Sequence, residues 1–98
     1  DTAYEDQTRV QLNSFKLAVQ HFQIKMNSLP ESLEELKDGP RDASKKSRWT
    51  GPILKVDVIP QDPWGNDYVF TRKGRDFEIR SGGIDGQMNT SDDIFVTG

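Results

Sequence analysis

Apolar residues near the start of the chain recur at alternating steps of three and four, which is the spacing of one face of an α-helix. The pattern predicts a long helix over residues 3–27. Its core-facing side consists of Leu12, Phe15, Val19, Phe22 and Met26. A second apolar stripe, spaced by seven, falls on roughly the opposite side and consists of Val10, Leu17 and Ile24. This second stripe is either partly buried by a later segment or available to another helix.

The segment after this helix contains strong stop signals. Pro30 disfavours helical geometry in the residue before it, so we expect the helix to end near Asn27. A short second helix is predicted over residues 31–37, and Gly39-Pro40 ends it. Residues 40–52, which we call the basic loop, hold four basic residues and a tryptophan. Their charges follow no helix or strand period, which favours a solvated connector over a site for phosphate or an acidic partner.

The rest of the chain contains short runs in which polar and apolar residues alternate, as is typical of strands. The predicted elements are an extended segment at 53–59, a proline-bounded turn at 60–66, a β-hairpin of 68–71 and 76–81, and a last segment at 94–96 that either adds a strand or lies across the first helix. This order predicts an α+β fold with a small antiparallel sheet. We expect one domain over residues 1–98, with a long helix (1–28), a short helix and variable loop (29–52), and a β-sheet with a C-terminal loop (53–98).

Composition excludes several kinds of binding site and covalent link in this domain. The 98 residues carry a net charge of −3, so they offer no broad positive surface for nucleic acid. Cysteine is absent, which excludes disulfides and thiolate metal sites. No run approaches the roughly 20 apolar residues that span a bilayer. The chain begins inside a predicted helix, which is compatible with a fragment that lacks an upstream membrane segment.

Three carboxylates lie in a loop that is too rich in Gly, Ser, Thr and Asn to form a helix or strand. We call residues 81–93 the acidic loop. Its glycines permit tight turns, so the first carboxylate can fold back towards the other two. The three carboxylates are those of Asp85, Asp92 and Asp93. Clustered negative charges repel unless a cation binds or the loop opens into water, and oxygen ligands in a flexible loop favour Ca²⁺ over Mg²⁺.

Other interpretations of the acidic loop stay open at this point. Counted as an EF-hand from Asp85, position six is Thr90 instead of Gly and position twelve is Val96 instead of Glu, so that pattern fails. A surface turn whose carboxylates accept hydrogen bonds from backbone amides also fits. A catalytic Mg²⁺ site lacks a basic or nucleophilic partner in the same loop. The sole histidine, His21, lies in the first helix, and with no cysteine nucleophile or phosphate-binding loop we expect no enzyme.

Four sequence blocks, taken in order, resemble the major pseudopilins of type II secretion systems. The blocks are Leu29-Pro30-Glu-Ser-Leu-Glu-Glu-Leu, Ile59-Pro60-Gln-Asp-Pro63-Trp64-Gly65-Asn66-Asp-Tyr68, Ser81-Gly-Gly-Ile-Asp85-Gly and Ser91-Asp92-Asp93-Ile94. With the long N-terminal helix that precedes them, the match spans nearly the whole chain. The resemblance implies a pilin-like fold in which the long helix packs on the sheet and the C-terminal loop binds calcium.

The resemblance also implies a function. Members of this family are made with a leader and a hydrophobic helix segment, and they are anchored in the inner membrane before assembly. They assemble into a periplasmic filament, with other pseudopilins and inner-membrane secretion components, that helps to export folded proteins. On this reading Asp1 lies partway along the long helix and the chain is the periplasmic domain. We then expect Val10 to act in assembly and Ile24 mainly in folding. A type IV pilin-like or minor pseudopilin subunit, or a free calcium-stabilised binding domain, is the alternative.

The calcium ligands that the resemblance implies can be placed residue by residue. The side-chain ligands are Asp85, Asp92 and Asp93, and the backbone carbonyl ligands are those of Gly82 and Gln87. The sequence departs from the family pattern at Ser81-Gly82-Gly83, where a leucine is lost, and at Met88-Asn89-Thr90-Ser91, which replaces a Gly-rich, Glu-containing run. Both departures lie inside the acidic loop.

Overall fold

A computed structural model describes residues 2–98 of the chain. Its helices are α1 (Thr2–Met26) and α2 (Glu35–Asp38), and its strands are β1 (Val69–Lys73), β2 (Asp76–Ser81) and β3 (Ile94–Thr97). Short 3₁₀ helices occupy Ala43–Arg48 and Gly83–Asp85. The described residues form two compact units, one made of residues 2–16 and 60–98 and the other of residues 17–59. The prediction of a single domain with three parts stays a prediction.

The long helix forms as its apolar periodicity predicts. The five residues of its core-facing side, Leu12, Phe15, Val19, Phe22 and Met26, are all buried. The helix ends because Asn27 adopts a positive φ of 56°, a left-handed conformation that asparagine tolerates better than most residues. Within residues 2–98, no helix combines the length and apolar character needed to cross a membrane.

The second stripe of α1 is uncovered along its whole length. Val10 is 70 % exposed, Leu17 is 67 % exposed and Ile24 is 83 % exposed. The expectation that Ile24 acts mainly in folding is therefore wrong, because its side chain adds almost nothing to the core. A helix in a folded domain normally exposes polar residues on this side, so three large apolar residues there need a separate explanation.

The unit of residues 17–59 differs from prediction in two places. The second helix covers Glu35–Asp38 only, since residues 31–34 form turns. The segment 53–59 is not a strand in the described structure: the amides of Ile53 and Leu54 both donate to the carbonyl of Leu36, at 2.8 and 2.9 Å. In a strand ladder, neighbouring amides do not donate to the same carbonyl. These two amides do, so the segment is not paired as a strand although its residues alternate.

The unit that contains the sheet matches the prediction closely. The three strands are antiparallel in the order β1-β2-β3. The hairpin closes through Gly74-Arg75, and Gly74 has the positive φ of 65° that a two-residue hairpin loop requires. Phe15 of α1 packs edge-to-face on Tyr68 just before β1, with ring centroids 5.2 Å apart. The predicted α+β fold, a long helix packed on a small antiparallel sheet, is confirmed.

Alternation along β2 divides the sheet into a dry and a wet face. Phe77, Ile79 and Ser81 are buried, whereas Glu78 and Arg80 are half-buried on the other face. Across the sheet, Val69 of β1 lies opposite Arg80, which in turn lies opposite Phe95 of β3. The acidic loop connects the end of β2 to the start of β3, so the sheet fixes both of its ends.

Candidate metal centre

The acidic loop begins with a tight backbone turn that only glycine can make. Gly83 has φ of +70°, and a Cβ there would collide with the backbone carbonyl oxygen of Asp92. Gly86 ends the 3₁₀ turn in the left-handed conformation, and its amide donates to the carbonyl of Gly83 at 3.2 Å. The glycines therefore let the first half of the loop fold directly against the second half.

This folding brings the three predicted side-chain ligands together. One carboxylate oxygen from each of Asp85, Asp92 and Asp93 lies within 4.8 Å of the other two. All three groups are hard oxygen donors, which suits Ca²⁺ or Mg²⁺ and not a soft metal. Exposed acidic groups often cluster without a metal, so the way each oxygen is used matters more than proximity alone.

The carboxylates of the three aspartates all accept hydrogen bonds from backbone amides of the loop. The Oδ2 atom of Asp92 accepts from the amide of Asp85 at 3.1 Å, and that of Asp93 accepts from the amide of Asn89 at 2.7 Å. Asp85 uses its Oδ1 atom to accept from the amide of Gln87 at 2.9 Å. This amide capping is what the surface-turn interpretation predicts. It also fixes the carboxylates so that one oxygen of each turns inward, and two of these inward oxygens are themselves capped: Oδ1 of Asp85 by the Gln87 amide and Oδ1 of Asp93 by the Thr90 amide at 3.4 Å.

The inward oxygens converge on the hydroxyl of Thr90. Its Oγ1 atom contacts Oδ1 of Asp92, lies 3.0 Å from Oδ1 of Asp93 and 3.4 Å from Oδ1 of Asp85, and is 3.1 Å from the carbonyl oxygen of Gln87. A hydroxyl has one proton, so it can donate fully to only one of these four oxygens. The other three pairs are oxygen atoms in close contact with no proton between them. A cation bound beside the Thr90 hydroxyl would coordinate these oxygens and offset the repulsion among them.

The carboxylates of Asp92 and Asp93 are held in their charged form. Hydrogen bonds from the Thr90 hydroxyl and the Asp85 amide lower the pKa of Asp92 below its ordinary value of 3.8. Desolvation raises the pKa of Asp93, but hydrogen bonds from Arg80, from the Asn89 amide and from Thr90 outweigh it, and the pKa is lowered overall. Both groups are therefore ready to bind a cation at neutral pH, since a carboxylate must be deprotonated to act as a ligand.

Comparison with known proteins places the chain in a family. The family described as "Type II secretion system (T2SS), protein G" matches residues 1–97. The chain belongs to this family. It is 38 % identical over 85 residues to the type II secretion system core protein G of Escherichia coli strain K12, and 34 % identical over 83 residues to that of Aeromonas hydrophila. These matches cover 85 % and 79 % of the chain, and the resemblance noted in the sequence is confirmed.

A solved structure in the protein G family supports the same assignment. The major pseudopilin from the type 2 secretion system of enterohaemorrhagic Escherichia coli superimposes with a TM-score of 0.78 at 27 % identity, covering 97 % of this chain and 87 % of that one. The chain spans only 55 % and 57 % of the length of the two core protein G relatives. The similarity therefore covers a little over half of each of these two relatives.

The predicted backbone ligands of this protein G family member lie in different surroundings. The carbonyl of Gln87 reaches the inward oxygens through Thr90, as described above. Gly82 is buried at the base of the loop, and a Cβ there would meet the Gly86 carbonyl carbon at 2.7 Å and the Gln87 nitrogen at 2.9 Å. The role of Gly82 visible in the structure is thus to let the chain approach itself closely. Its carbonyl as a ligand stays a prediction.

Several residues that support the loop were not identified from the sequence. Asp62 is only 4 % exposed, accepts from the amides of Trp64 and Asn66 at 3.2 and 2.8 Å, and accepts from the hydroxyl of Ser81 at 2.8 Å. The Ser81 oxygen in turn accepts from the amide of Gly83 at 3.2 Å. The proline-bounded turn is thereby connected to the first residues of the acidic loop. An aspartate between two prolines signals a turn, but the partner 19 residues away gives no local signal.

Proposed function

We propose that this chain is the periplasmic part of a structural subunit of the type II secretion pseudopilus, a filament that helps to export folded proteins. It acts by assembly and not as an enzyme. It assembles with copies of itself and with other pseudopilins and inner-membrane secretion components, and the full-length protein is anchored in the inner membrane before assembly. The observation that carries this proposal is the uncovered apolar stripe of α1 in a member of the protein G family.

The stripe supports assembly because its residues recur at the spacing of a helix–helix contact. Val10, Leu17 and Ile24 are seven residues apart, and a heptad repeat keeps side chains on one side of a helix over several turns. Burying a large aliphatic side chain contributes about 1.5–3 kcal/mol, so three such residues are a substantial driving force for association. In a filament, neighbouring subunits would cover this stripe, and the opposite side of the helix would keep its core residues.

We also propose that Ca²⁺ binds the acidic loop and stabilises it. The residues that fit are Asp85, Asp92 and Asp93 through their side chains and Gln87 through its carbonyl, with Gly82 as the further carbonyl that the family resemblance implies. The Thr90 hydroxyl joins this set because it lies among the inward oxygens. Bound Ca²⁺ supplies positive charge that offsets the three carboxylates, and its flexible coordination by 6–8 oxygens suits an irregular loop completed by water.

The proposal for α1 is tested by Val10→Asp. The soluble domain should keep its stability within about 0.5 kcal/mol, as expected for a change on an exposed surface away from the core. The full-length variant should fail to form filaments or to secrete, because assembly would bury the introduced carboxylate without a partner. Thermal melts of the domain and a secretion assay of the full-length protein measure the two effects.

Gln7→Asp is the matched control, since it places the same charge on an exposed polar position of the same helix that lies about 80° around the axis from the middle of the apolar stripe. It should leave both stability and secretion unchanged. Normal secretion by the Val10→Asp protein would refute the assembly role, and so would unfolding of its isolated domain.

A further inference from the structure

The side chain of Arg80 is fixed in place by the sheet. Its Nε and Nη2 atoms donate to the two carboxylate oxygens of Glu78 at 3.1 and 2.8 Å, which is a bidentate pair within β2. Its guanidinium carbon lies 4.0 Å from the ring centroid of Phe95, directly across the ladder in β3. Two neighbouring strands thus hold the guanidinium in one position.

The third nitrogen of this guanidinium reaches out of the sheet to the acidic loop. Nη1 of Arg80 donates to Oδ2 of Asp93 at 3.0 Å. The same oxygen accepts from the Asn89 amide, while Oδ1 faces Thr90 and the other carboxylates. The Asp93 side chain is only 3 % exposed, so water competes little for these bonds. Arg80 therefore bonds only the outward oxygen of Asp93, and the inward oxygen, which accepts from the amide and hydroxyl of Thr90 at 3.4 and 3.0 Å, stays directed into the loop.

We infer that Arg80 is the positioning residue that anchors the acidic loop to the sheet and presents Oδ1 of Asp93 to the cation. The part concerning the cation rests on the calcium site proposed above. The anchor itself does not, because a fixed positive charge also offsets part of the repulsion among three carboxylates when no metal is bound. The loop then keeps its shape without calcium, and the cation binds a site that is already formed.

The anchor is tested by amide hydrogen exchange of calcium-stripped protein in EGTA. Arg80→Gln should speed exchange at Asp85, Gln87 and Asn89 by about tenfold, the size expected for losing a charge-assisted hydrogen bond. Lys73→Gln is the matched control. Lys73 also pairs with Glu78, at 3.5 Å, so the control removes one positive charge from the same cluster and keeps the Arg80–Asp93 pair. Its loop should exchange like the wild type. Equal loop exchange in Arg80→Gln and the wild type would overturn the inference, as would equal acceleration by both variants.

The orientation of Asp93 is tested with Eu³⁺, an oxygen-seeking probe for calcium sites whose luminescence lifetime in H₂O and D₂O counts bound waters. Arg80→Gln should show more bound water than the wild type, because a released Asp93 leaves the coordination shell. Lys73→Gln should not. Arg80→Lys keeps the charge but loses the bidentate fork, so it should restore the water count and leave exchange intermediate. An unchanged water count in Arg80→Gln would contradict the positioning role.

Two further outcomes separate this inference from the calcium proposal. If the wild type binds no Eu³⁺ or Ca²⁺, the metal site is wrong, and the exchange experiment in EGTA alone decides the anchor. If Arg80→Gln loses protection in the β1–β2 hairpin as well, Arg80→Lys decides. In Arg80→Lys, an intact hairpin with loop exchange slower than in Arg80→Gln supports the anchor, and an intact hairpin with loop exchange as fast as in Arg80→Gln overturns it.

Discussion

The basic loop and the acidic loop are both polar and highly charged, yet their charged side chains are arranged in opposite ways. In the basic loop, Arg41, Lys46 and Arg48 are exposed and point into water. In the acidic loop, three carboxylates turn inward to within 4.8 Å of one another. The first arrangement minimises repulsion and the second increases it. Convergence of like charges costs free energy unless something offsets it, so the acidic loop is the region where a cation is expected.

The two loops also differ in what holds them. The basic loop contains the 3₁₀ helix Ala43–Arg48, which is capped by Asp42: the Oδ1 atom of Asp42 accepts from the amide and hydroxyl of Ser44 at 3.0 and 2.7 Å. After it, Trp49 packs on Phe22 with centroids 6.0 Å apart. The Arg41 amide also donates to Glu35 at 3.1 Å, and Lys25 donates to the Thr50 hydroxyl at 2.7 Å. These bonds hold the connector without using the charged groups of Arg41, Lys46 and Arg48, which stay exposed. The acidic loop instead uses every carboxylate for backbone amides and adds Arg80, which indicates that its shape is important in itself.

Calcium removal should produce the largest difference between the two loops. A ligand that binds only the folded state stabilises it by about 2.7 kcal/mol at a hundredfold excess over its Kd. For a chain of this length, that raises Tm by about 10 °C or more. Melting curves recorded in calcium and in EGTA measure the shift, and Mg²⁺ should give a smaller one because it demands stricter octahedral geometry.

The same calcium experiment can localise the effect. In hydrogen exchange, calcium should protect residues 85–93 and leave the amides of residues 43–48 unchanged. Melting curves that superimpose with and without calcium would show that the inward carboxylates serve only as caps for backbone amides.

Removal of single carboxylates should give the next largest effect. Asp92→Ala and Asp93→Ala should each lower calcium affinity by about tenfold or more, because each removes a charged ligand and affinity follows the charge count of the site. The sheet and helix should survive, since their core is made by other residues. Calcium titration by calorimetry, with circular dichroism as the check on folding, measures both effects.

Asp42→Ala is the control for this pair, because it is the same substitution at the carboxylate that caps the basic loop. Its calcium affinity should equal that of the wild type. If Asp93→Ala and Asp42→Ala bind calcium equally well, the ligand assignment is wrong.

The features that the sequence predicted are those set by neighbouring residues. The spacing of Leu12 and Phe15 predicts a helix face, and Gly74 predicts a hairpin, because each depends on periods and turns of a few residues. The strand at 53–59 failed for the opposite reason. Its alternation is typical of a strand, but the amide of Ile53 donates to a carbonyl of α2 and not to a neighbouring strand.

The candidate site also combines features that neighbouring residues set with features that depend on remote residues. The convergence of its three aspartates could be predicted, since the glycines on either side of Asp85 allow the loop to fold back. Their role as calcium ligands, which the family resemblance implies, stays a prediction. The supporting residues could not be predicted, because their partners are remote in sequence. Arg80 is 13 residues from Asp93, and Ser81 is 19 residues from Asp62. From the sequence alone, an arginine in a strand is predicted only to lie on the solvent-facing side of the sheet, and the carboxylate beside it becomes visible only in the fold.

Acidification should destabilise the acidic loop by protonating the inward carboxylates of Asp92 and Asp93. The pKa values of Asp92 and Asp93 in the folded protein lie below the ordinary 3.8. A depressed pKa contributes stability that is present above about pH 4 and is lost as the pH falls through the folded value. Calcium-stripped protein should therefore melt at nearly constant temperature from pH 7 to 5, as far as these groups contribute, and lose stability below pH 4.

The double variant Asp92→Asn/Asp93→Asn serves as the control for acidification. Its stability loss below pH 4 should be smaller than that of the wild type, because two groups that must be protonated are gone. An identical acid profile for the two proteins would show that these carboxylates are not held in their charged form by the fold.

Neutralising the basic loop should have the smallest effect. Lys46→Gln/Arg48→Gln removes two charges, the same number as Asp92→Asn/Asp93→Asn, but both side chains already point into water. Exposed charges are screened by salt over about 8 Å at physiological ionic strength. The free energy of unfolding should therefore change by no more than about 0.5 kcal/mol, and calcium affinity should stay the same. Chemical denaturation and calcium titration of the two double variants, side by side, measure this. A larger loss of stability on removing the two cations would mean that they interact with the folded chain, and the contrast between a solvated and a converging loop would then be wrong.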